Sequence, residues 1–159
     1  AMSAPLLQSA MTYVPCDSQA QGFFADTCYD VHLLSDPNTL YATCATDGSM
    51  TRFKVNDDFN LDRRVVDFNG QLQVVYSCTN RKFPLFRASC EFSRYCENIQ
   101  LIVLSHDSNE INTTTGIADP KILLTADCSD REGNWWTNQV DLNPYITNRK
   151  GKLQWACRW

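Results

Sequence analysis

Residues 140–155 read VDLNPYITNRKGKLQW, and residues 59–74 read FNLDRRVVDFNGQLQV. The two segments align without a gap, so that Gly70 falls on Gly151 and most apolar positions coincide. A short chain that carries the same pattern of apolar and turn residues twice indicates a duplicated structural unit.

The repeat extends upstream of both segments. Residues 24–28 (FADTC) correspond to 92–96 (FSRYC), and residues 40–44 (LYATC) correspond to 124–128 (LTADC). A chain of 159 residues suits one domain, so each copy is expected to form half of a shared core. We expect a single domain over residues 1–159, with repeat one at about 17–78, a linker at 79–89, and repeat two at about 90–159 with an exposed insertion at about 105–120.

The composition is that of a globular protein with a small negative charge. Hydrophobic residues make up 43% of the chain and charged residues 20%, which separates it from disordered proteins. The formal net charge of −4 argues against nucleic-acid binding, which needs a basic surface. No apolar run approaches the roughly 20 residues that a membrane-spanning helix needs, so membrane insertion is not expected.

The cysteine content indicates disulfide bonds. The chain holds two histidines and no pair of cysteines with the CxxC spacing of many zinc sites. Because disulfides form in oxidising compartments, we expect a secreted, extracellular protein without a metal or other cofactor. Asn112 begins a glycosylation sequon, which fits secretion. The eight cysteines are Cys16, Cys28, Cys44, Cys78, Cys90, Cys96, Cys128 and Cys157.

If disulfide pairing respects the repeat, each copy closes one bond within itself. These two bonds are Cys28–Cys44 and Cys96–Cys128. The other four cysteines leave two alternatives, which are Cys16–Cys78 with Cys90–Cys157, or Cys16–Cys157 with Cys78–Cys90. The cysteine positions alone do not decide between them.

Alternating apolar residues predict half-buried β-strands in four segments, at 29–33, 40–44, 99–103 and 122–128. In the first segment, the alternation places Tyr29 on the same face as Val31 and Leu33. Asn69-Gly70 lies between two apolar runs and predicts a tight hairpin turn. Short helical turns are expected at 60–65 and 143–146. The sequence therefore predicts a mostly β fold built from two equivalent halves.

These features together resemble the cyanovirin-N homology (CVNH) family. Each of the two tandem repeats in that family carries a Leu-x-Ala-x-Cys strand, a Leu-Asn turn and an Asn-x-x-Gly-x-Leu strand that often ends in Trp. Repeat two supplies these elements at 124–128, 142–143 and 148–155, and repeat one supplies a looser version. The resemblance covers about 23–155, and it suggests a secreted member such as fungi produce.

The resemblance implies a pseudo-symmetric, elongated β-barrel in which the two repeats exchange strands, with short helical turns and disulfide bonds. Cysteines inside each repeat pair in the family, which supports Cys28–Cys44 and Cys96–Cys128. The chain ends lie near each other in that fold, and the linker lies at the opposite end. This arrangement favours Cys16–Cys157 and Cys78–Cys90 for the other four cysteines.

Members of the family are typically lectins that bind mannose-rich glycans without metal or catalysis, with one pocket near each end of the barrel. In the first pocket, Thr27 and Asn148 match the family pattern directly. Carboxylates, amides and hydroxyls at fixed spacing can pair with sugar hydroxyls. The resemblance assigns to pocket one the residues Asp26, Thr27, Ala45, Thr46, Asp47, Asn148, Arg149 and Lys150.

The second pocket departs from the family pattern at two positions. Tyr95 replaces the usual small hydroxyl residue, and Asp67 replaces the usual asparagine. Arg131 fits the family, where a basic residue is frequent in this loop. The insertion at 105–120 lies in the same repeat, where it could extend, cover or replace the pocket. The resemblance assigns to pocket two the residues Arg94, Tyr95, Ser129, Asp130, Arg131, Asp67, Phe68 and Asn69.

At least one of the paired tryptophans Trp135 and Trp136 is expected to contribute to packing, because large aromatic rings at strand spacing stabilise a β core. Trp136 is the expected core member, since it shares parity with Val140 and Leu142.

The expected function is that of a secreted lectin that binds mannose-type glycans or glycoproteins, as a monomer or a strand-swapped dimer. Asp57-Asp58, or Asp127 with Asp130, could be imagined as acid and base, but no motif for a nucleophile accompanies them, so no enzymatic activity is expected. The alternative is a secreted effector or interaction protein that keeps the barrel and has lost sugar binding, because a fold does not fix its function.

Overall fold

The computed structural model describes residues 22–76, 91–104 and 120–157. Among the helices in these ranges, none has the length and hydrophobicity that crossing a membrane requires. Several sequence expectations lie outside the described residues, namely those for the linker 79–89, the insertion 105–119, the sequon at Asn112, and Cys16, Cys78 and Cys90.

Repeat one forms a three-stranded antiparallel sheet. Its strands are β1 (Cys28–Leu33), β2 (Thr39–Ala45) and β3 (Phe53–Asn60), with β2 in the middle. The central strand alternates as predicted at 40–44, because its inward side chains enter the core. These fully buried side chains are Leu40, Ala42 and Cys44.

The alternation predicted for 29–33 is wrong at its first residue. Asp30 has a φ of 54°, and the pairing of β1 with β2 shifts after Tyr29. This β-bulge places an extra residue in the strand, so Tyr29 is 54% exposed. Val31 and Leu33, which follow the bulge, pack against the core.

Repeat two forms the equivalent sheet, with β7 between β6 and β8. Asn98 has a φ of 52° and makes the same bulge in β6 as Asp30 makes in β1. The strands are β6 (Cys96–Leu104), β7 (Lys121–Ser129) and β8 (Trp135–Asp141). The inward side chains of β7 are buried, and they are Ile122, Leu124, Ala126 and Cys128.

Each repeat donates a two-stranded hairpin to the sheet of the other repeat. The hairpin of repeat one packs against β8, and the hairpin of repeat two packs against β3. The hairpins consist of β4 (Val65–Phe68) with β5 (Gln71–Val74), and of β9 (Ile146–Arg149) with β10 (Lys152–Trp155). This is the strand exchange that the family resemblance implied.

One asparagine on each sheet fastens the donated hairpin. The side-chain amide of Asn56 donates to the carbonyl of Gly151 at 2.8 Å, and its oxygen accepts from the backbone N–H of Leu153 at 3.0 Å. Asn138 makes the two equivalent bonds in the other half, to the carbonyl of Gly70 at 2.8 Å and from the N–H of Leu72 at 2.7 Å. Both asparagines therefore satisfy backbone groups of a hairpin that belongs to the other repeat.

The hairpin turn predicted at Asn69-Gly70 is confirmed. These residues have φ values of 52° and 92°, and Lys150 and Gly151 have 52° and 91° in the equivalent turn. Positive φ at both central positions is typical of a type I′ turn, whose twist matches that of the strands. Glycine is also needed for space, since a Cβ atom on Gly70 would lie 2.7 Å from the ring of Trp136.

The two helical turns predicted from the sequence are present as 3-10 helices at Leu61–Arg63 and Asn143–Tyr145. Each of them links the two halves through one side chain. Asn143 Oδ1 accepts from the backbone N–H of Ala25 at 2.9 Å, and Asp62 accepts from the N–H of Ser93 at 3.1 Å. The segments that they contact are helical as well, a 3-10 helix at Phe24–Asp26 and the α-helix α1 at Phe92–Tyr95.

Trp136 is not the core residue that its parity predicted. Trp136 is 56% exposed, and Trp135 is 52% exposed. Both residues begin β8 next to the β7–β8 loop, and the indole of Trp136 lies on the surface of the Gly70 turn instead of between the sheets. Trp155 does pack, with its ring centroid 4.9 Å from that of Phe59.

Both disulfides expected within the repeats are confirmed. Cys28 bonds to Cys44 and Cys96 bonds to Cys128, with S–S distances of 2.05 and 2.09 Å. Each bond joins two directly opposed residues of neighbouring strands. Cys157 is buried and disulfide-bonded as well, but its partner lies outside the described residues.

Candidate functional site

Pocket one is assembled from three separate segments by the side chain of Asn148. Its amide nitrogen donates to the Thr27 hydroxyl at 2.9 Å and to the Ala45 carbonyl at 2.8 Å. Its oxygen accepts from the N–H of Gly151 at 2.8 Å. Because all three bonds are made at once, the turn of the donated hairpin is held against the end of the repeat-one sheet.

The other predicted members of pocket one surround this centre. The methyl group of Thr46 packs against the turn, since a Cβ atom on Gly151 would lie 2.8 Å from it. Asp47 accepts from the N–H and the hydroxyl of Ser49, at 3.1 and 2.7 Å, and so shapes its own loop. The remaining members are exposed, and they are Asp26, Arg149 and Lys150.

The structure also brings together much of predicted pocket two. The hydroxyl of Ser129 donates to the carbonyl of Tyr95 at 3.2 Å. The N–H of Arg131 donates to Asn69 Oδ1 at 3.1 Å, and this bond ties the β7–β8 loop to the donated hairpin. Pocket two therefore joins the same three kinds of segment as pocket one.

Three further members of pocket two lie around these contacts. Tyr95 is 47% exposed, and Phe68 is half-buried. The side chain of Arg94 is exposed and lies 2.8 Å from the carboxylate of Glu91, on the preceding turn. Arg94 is thus engaged by its own segment, whereas Tyr95 presents its ring to solvent.

Asp67 gives pocket two a different centre from pocket one. Its Oδ1 accepts from the N–H of Gly70 at 2.7 Å, as the side-chain oxygen of Asn148 does from the N–H of Gly151. An ionised carboxylate has no hydrogen to donate, however, so Asp67 cannot make the two bonds that the amide of Asn148 donates. Burial, with a smaller contribution from the nearby charge of Asp130, raises the pKa of Asp67 to about 6 against the opposing effect of the Gly70 N–H.

Asp67 also lies beside the second disulfide. One of its carboxylate oxygens and the sulfurs of Cys96 and Cys128 all lie within 4.8 Å of one another. Both sulfurs are bonded to each other, and a metal would need them as thiolates. The group is therefore the packed centre of the pocket and not a metal site.

The pair Asp127 and Asp130, considered above as an acid and a base, serves the local structure. Bonds from Asn98 and then Thr137 hold the pKa of Asp127 below its usual range. The hydrogen bond from the indole N–H of Trp136 likewise lowers the pKa of Asp130. Neither carboxyl has the raised pKa that a general acid would need.

Trp136 is the residue near pocket two that the sequence reasoning missed. The pairing of β7 with β8 places Trp136 opposite Cys128, and the pairing of β2 with β3 places Lys54 opposite Cys44, so the two residues are equivalent. An ungapped alignment of the two repeats does not show this equivalence, because β3 has one extra residue between Asn56 and Phe59 that β8 lacks. A gap at that point in the repeat alignment would have revealed it.

Comparison with known proteins supports the fold. The CVNH protein of Gibberella zeae is 18% identical, with a TM-score of 0.61 over 86% of this chain and 99% of its own. Microvirin in complex with mannobiose is 18% identical, with a TM-score of 0.57 over 85% and 99%. A variant of MoCVNH3 in complex with (N-GlcNAc)4 is 16% identical, with a TM-score of 0.56 over 84% and 97%. Among curated proteins no significant match is found.

A family comparison gives the same result from the sequence. The model of the CVNH domain matches this chain twice, over residues 24–116 and 104–159. The two matches together span all of the residues that form both sheets and both hairpins. The chain therefore belongs to the CVNH domain family, a family of lectins and not of enzymes.

Proposed function

We propose that this protein is a secreted lectin that binds mannose-type oligosaccharides at pocket one without a metal ion. The observation that carries the proposal is the bonding of Asn148, which holds Thr27, Ala45 and Gly151 in one fixed arrangement. A site whose geometry is set before the ligand arrives loses less conformational entropy on binding.

The groups around Asn148 suit a sugar with several hydroxyls. The second carboxylate oxygen of the exposed Asp47 can accept hydrogen bonds, and the ammonium of the exposed Lys150 can donate them. Charge-assisted hydrogen bonds of this kind give both strength and orientation. Microvirin, a protein of similar fold, is known in complex with mannobiose, which supports the choice of mannose.

Secretion and glycan partners form part of this proposal. The two described disulfides, together with the bonded Cys157, need an oxidising compartment to persist. An extracellular protein of this type would meet glycoproteins and cell-surface glycans. We further propose that residues 1–159 act as one domain, because each described half depends on a hairpin from the other.

Calorimetric titration with α1,2-mannobiose in the presence of EDTA tests the proposal. We expect saturable heat with the native protein, and loss of that heat in Asn148→Ala. Asp47→Ala should weaken binding, and Asp36→Ala provides a matched control, because Asp36 is an exposed aspartate that precedes β2 whereas Asp47 follows it. Absence of heat at millimolar sugar would reject mannose recognition, and native affinity in a folded Asn148→Ala variant would reject pocket one.

One observation favours the alternative of a protein-binding role. Tyr29, Phe53 and Val55 are exposed on one face of the first sheet, and the rings of Tyr29 and Phe53 meet edge to face at 5.2 Å. Exposed apolar groups of this kind are common at protein interfaces. If a broad glycan array were blank, a pull-down that Phe53→Ser abolishes would support this second function.

A further inference from the structure

Trp136 occupies an unusual place for a large aromatic residue. It faces Cys128 across the β7–β8 pairing, and its indole covers the turn at Gly70, where a Cβ atom would lie 2.7 Å from the ring. The residue is nevertheless 56% exposed. One edge of the ring is therefore packed on the donated hairpin, while much of the ring remains open to solvent beside pocket two.

The orientation of this ring is fixed by Asp130. The indole Nε1–H donates to Asp130 Oδ2 at 2.8 Å. The other oxygen of Asp130 accepts from the backbone N–H groups of Glu132 and Asn134, at 2.9 and 2.8 Å. The β7–β8 loop thus holds the carboxylate, and the carboxylate holds the ring. A fixed, exposed aromatic plane loses little conformational entropy when a ligand covers it.

In the described part of the chain, pocket one has no such aromatic plane. Lys54 stands at the position equivalent to Trp136, and a Cβ atom on Gly151 would lie 3.1 Å from its Cβ. A lysine side chain is long, mobile and charged, whereas an indole is flat and rigid. The two pockets of this chain consequently differ at two positions. Lys54 in pocket one corresponds to Trp136 in pocket two, and Asn148 corresponds to Asp67.

A flat indole selects among sugars by the shape of the pyranose ring. In β-linked sugars of the gluco configuration, all hydroxyls are equatorial, so axial C–H groups cover both faces and can lie on an aromatic ring. In α-linked mannose the O1 and O2 substituents are both axial, one on each face, and they obstruct this stacking. Ring faces of this kind are buried well by aromatic side chains.

We propose that pocket two binds β1,4-linked gluco-configured oligosaccharides, with one pyranose ring stacked on Trp136. The inference rests on the proposed function insofar as the fold binds glycans, but it assigns a different sugar class to the second pocket. Around the indole, Asp67 offers an acceptor, and the Asn69 amide nitrogen offers a donor, because its oxygen is already bonded to the N–H of Arg131. Asp130 acts as the positioning residue for the ring.

Heteronuclear NMR of the full chain with cellotetraose, with chitotetraose and with α1,2-mannobiose tests this assignment. We expect at least one of the two β1,4-linked sugars to shift the indole N–H signal of Trp136 and the amide signal of Asn69. Comparison of cellotetraose with chitotetraose also shows whether the pocket prefers glucose or N-acetylglucosamine units. Mannobiose should instead shift signals around Asn148.

Two variants that each install the residue of the other repeat provide the decisive comparison. Trp136→Lys should weaken binding of the β1,4-linked sugar by about tenfold or more, because it removes the aromatic face. Trp135→Phe is the matched control, since Trp135 is equally exposed but its side chain projects from the opposite face of β8. It should leave the affinity unchanged, and both variants should retain the native spectrum around Asn148.

The outcomes separate the two proposals. Mannobiose binding at Asn148 without any shift at Trp136 would overturn the inference and leave the proposed function intact. Binding of a β1,4-linked sugar that Trp136→Lys abolishes would support the inference even if mannobiose failed to bind. Equal loss in both variants, or binding of mannobiose at Trp136, would overturn it. No shift with any of the sugars would overturn both proposals.

Discussion

A single side-chain difference, a carboxyl at Asp67 in place of the amide of Asn148, separates the centres of the two pockets. The amide of Asn148 donates one hydrogen bond to the hydroxyl of Thr27 and one to the carbonyl of Ala45, and an ionised carboxylate donates none. We expect Asp67→Asn to raise the free energy of unfolding at pH 7 by about 1 kcal/mol, since it restores a donor at a half-buried position. Urea denaturation of the two proteins measures this difference, and an unchanged midpoint would contradict it.

The same residue makes stability depend on pH. The pKa of Asp67 is raised from 3.8 to about 6 in the folded protein, so the folded state binds this proton more tightly than the unfolded state. Stability from this group is fully present below pH 3.8 and is lost as the pH rises through about 6. Solvent screening of a half-exposed group reduces the loss to about 1 kcal/mol. Asp67→Asn should flatten this slope in urea titrations between pH 4 and pH 7, and equal slopes would contradict the assignment.

The residues of pocket one were accessible to sequence reasoning only through the family resemblance. Asn148 and Thr27 are 121 positions apart, and nothing local in either segment indicates that they touch. The prediction for Trp136 was wrong for a related reason. Alternation along β8 indicates on which face of the sheet a side chain lies, but not which other segment of the chain packs on that face. The Gly70 turn, which lies there, comes from the other repeat.

Strands and turns were predicted where their signals are local. The Asn69-Gly70 turn and the short helix at Leu61–Arg63 follow from residues within a few positions of each other. The bulges at Asp30 and Asn98 were not predicted, because each places a residue other than glycine at positive φ. Their cost is met by the packing of the strands on either side, which the local sequence does not show.

The donated hairpins depend on one asparagine each. Asn56→Ala leaves the carbonyl of Gly151 and the N–H of Leu153 without their side-chain partners in a buried site. We expect this change to lower the free energy of unfolding by about 2–3 kcal/mol, and Asn138→Ala by about 1–2 kcal/mol because Asn138 is less buried. Thermal and urea unfolding measure the loss of stability.

Hydrogen exchange identifies where the loss occurs. In Asn56→Ala the amide of Leu153 should exchange faster, while that of Leu72 on the other hairpin should change less. Gln139→Ala is the control, because Gln139 is exposed and adjacent to Asn138 on the opposite face of β8. If Asn56→Ala were no more destabilised than Gln139→Ala, the asparagine would not be what fastens the hairpin.

The duplication noticed in the sequence accounts for the architecture of the described residues. Each three-stranded sheet has an apolar inner face that its own repeat does not cover, and the hairpin of the other repeat packs onto it. The side chains of Asn143 and Asp62 join the helical turns of the two halves in the same reciprocal way. Repetition therefore produces mutual dependence between the halves and not two independent units.

This dependence predicts that neither repeat folds alone. A fragment of residues 1–84 has the sheet of repeat one but lacks the hairpin that satisfies Asn56, and a fragment of residues 85–159 lacks the hairpin that satisfies Asn138. We expect each fragment alone to give the collapsed NMR spectrum of an unfolded chain, since its apolar strand face stays exposed. Mixing the two fragments under oxidising conditions should restore dispersed signals at a one-to-one ratio. A native-like spectrum from either fragment alone would contradict this prediction, because it would show that the sheet of that repeat buries its own core. The exchanged hairpins would then strengthen the association of two folded halves, and they would not be required for folding.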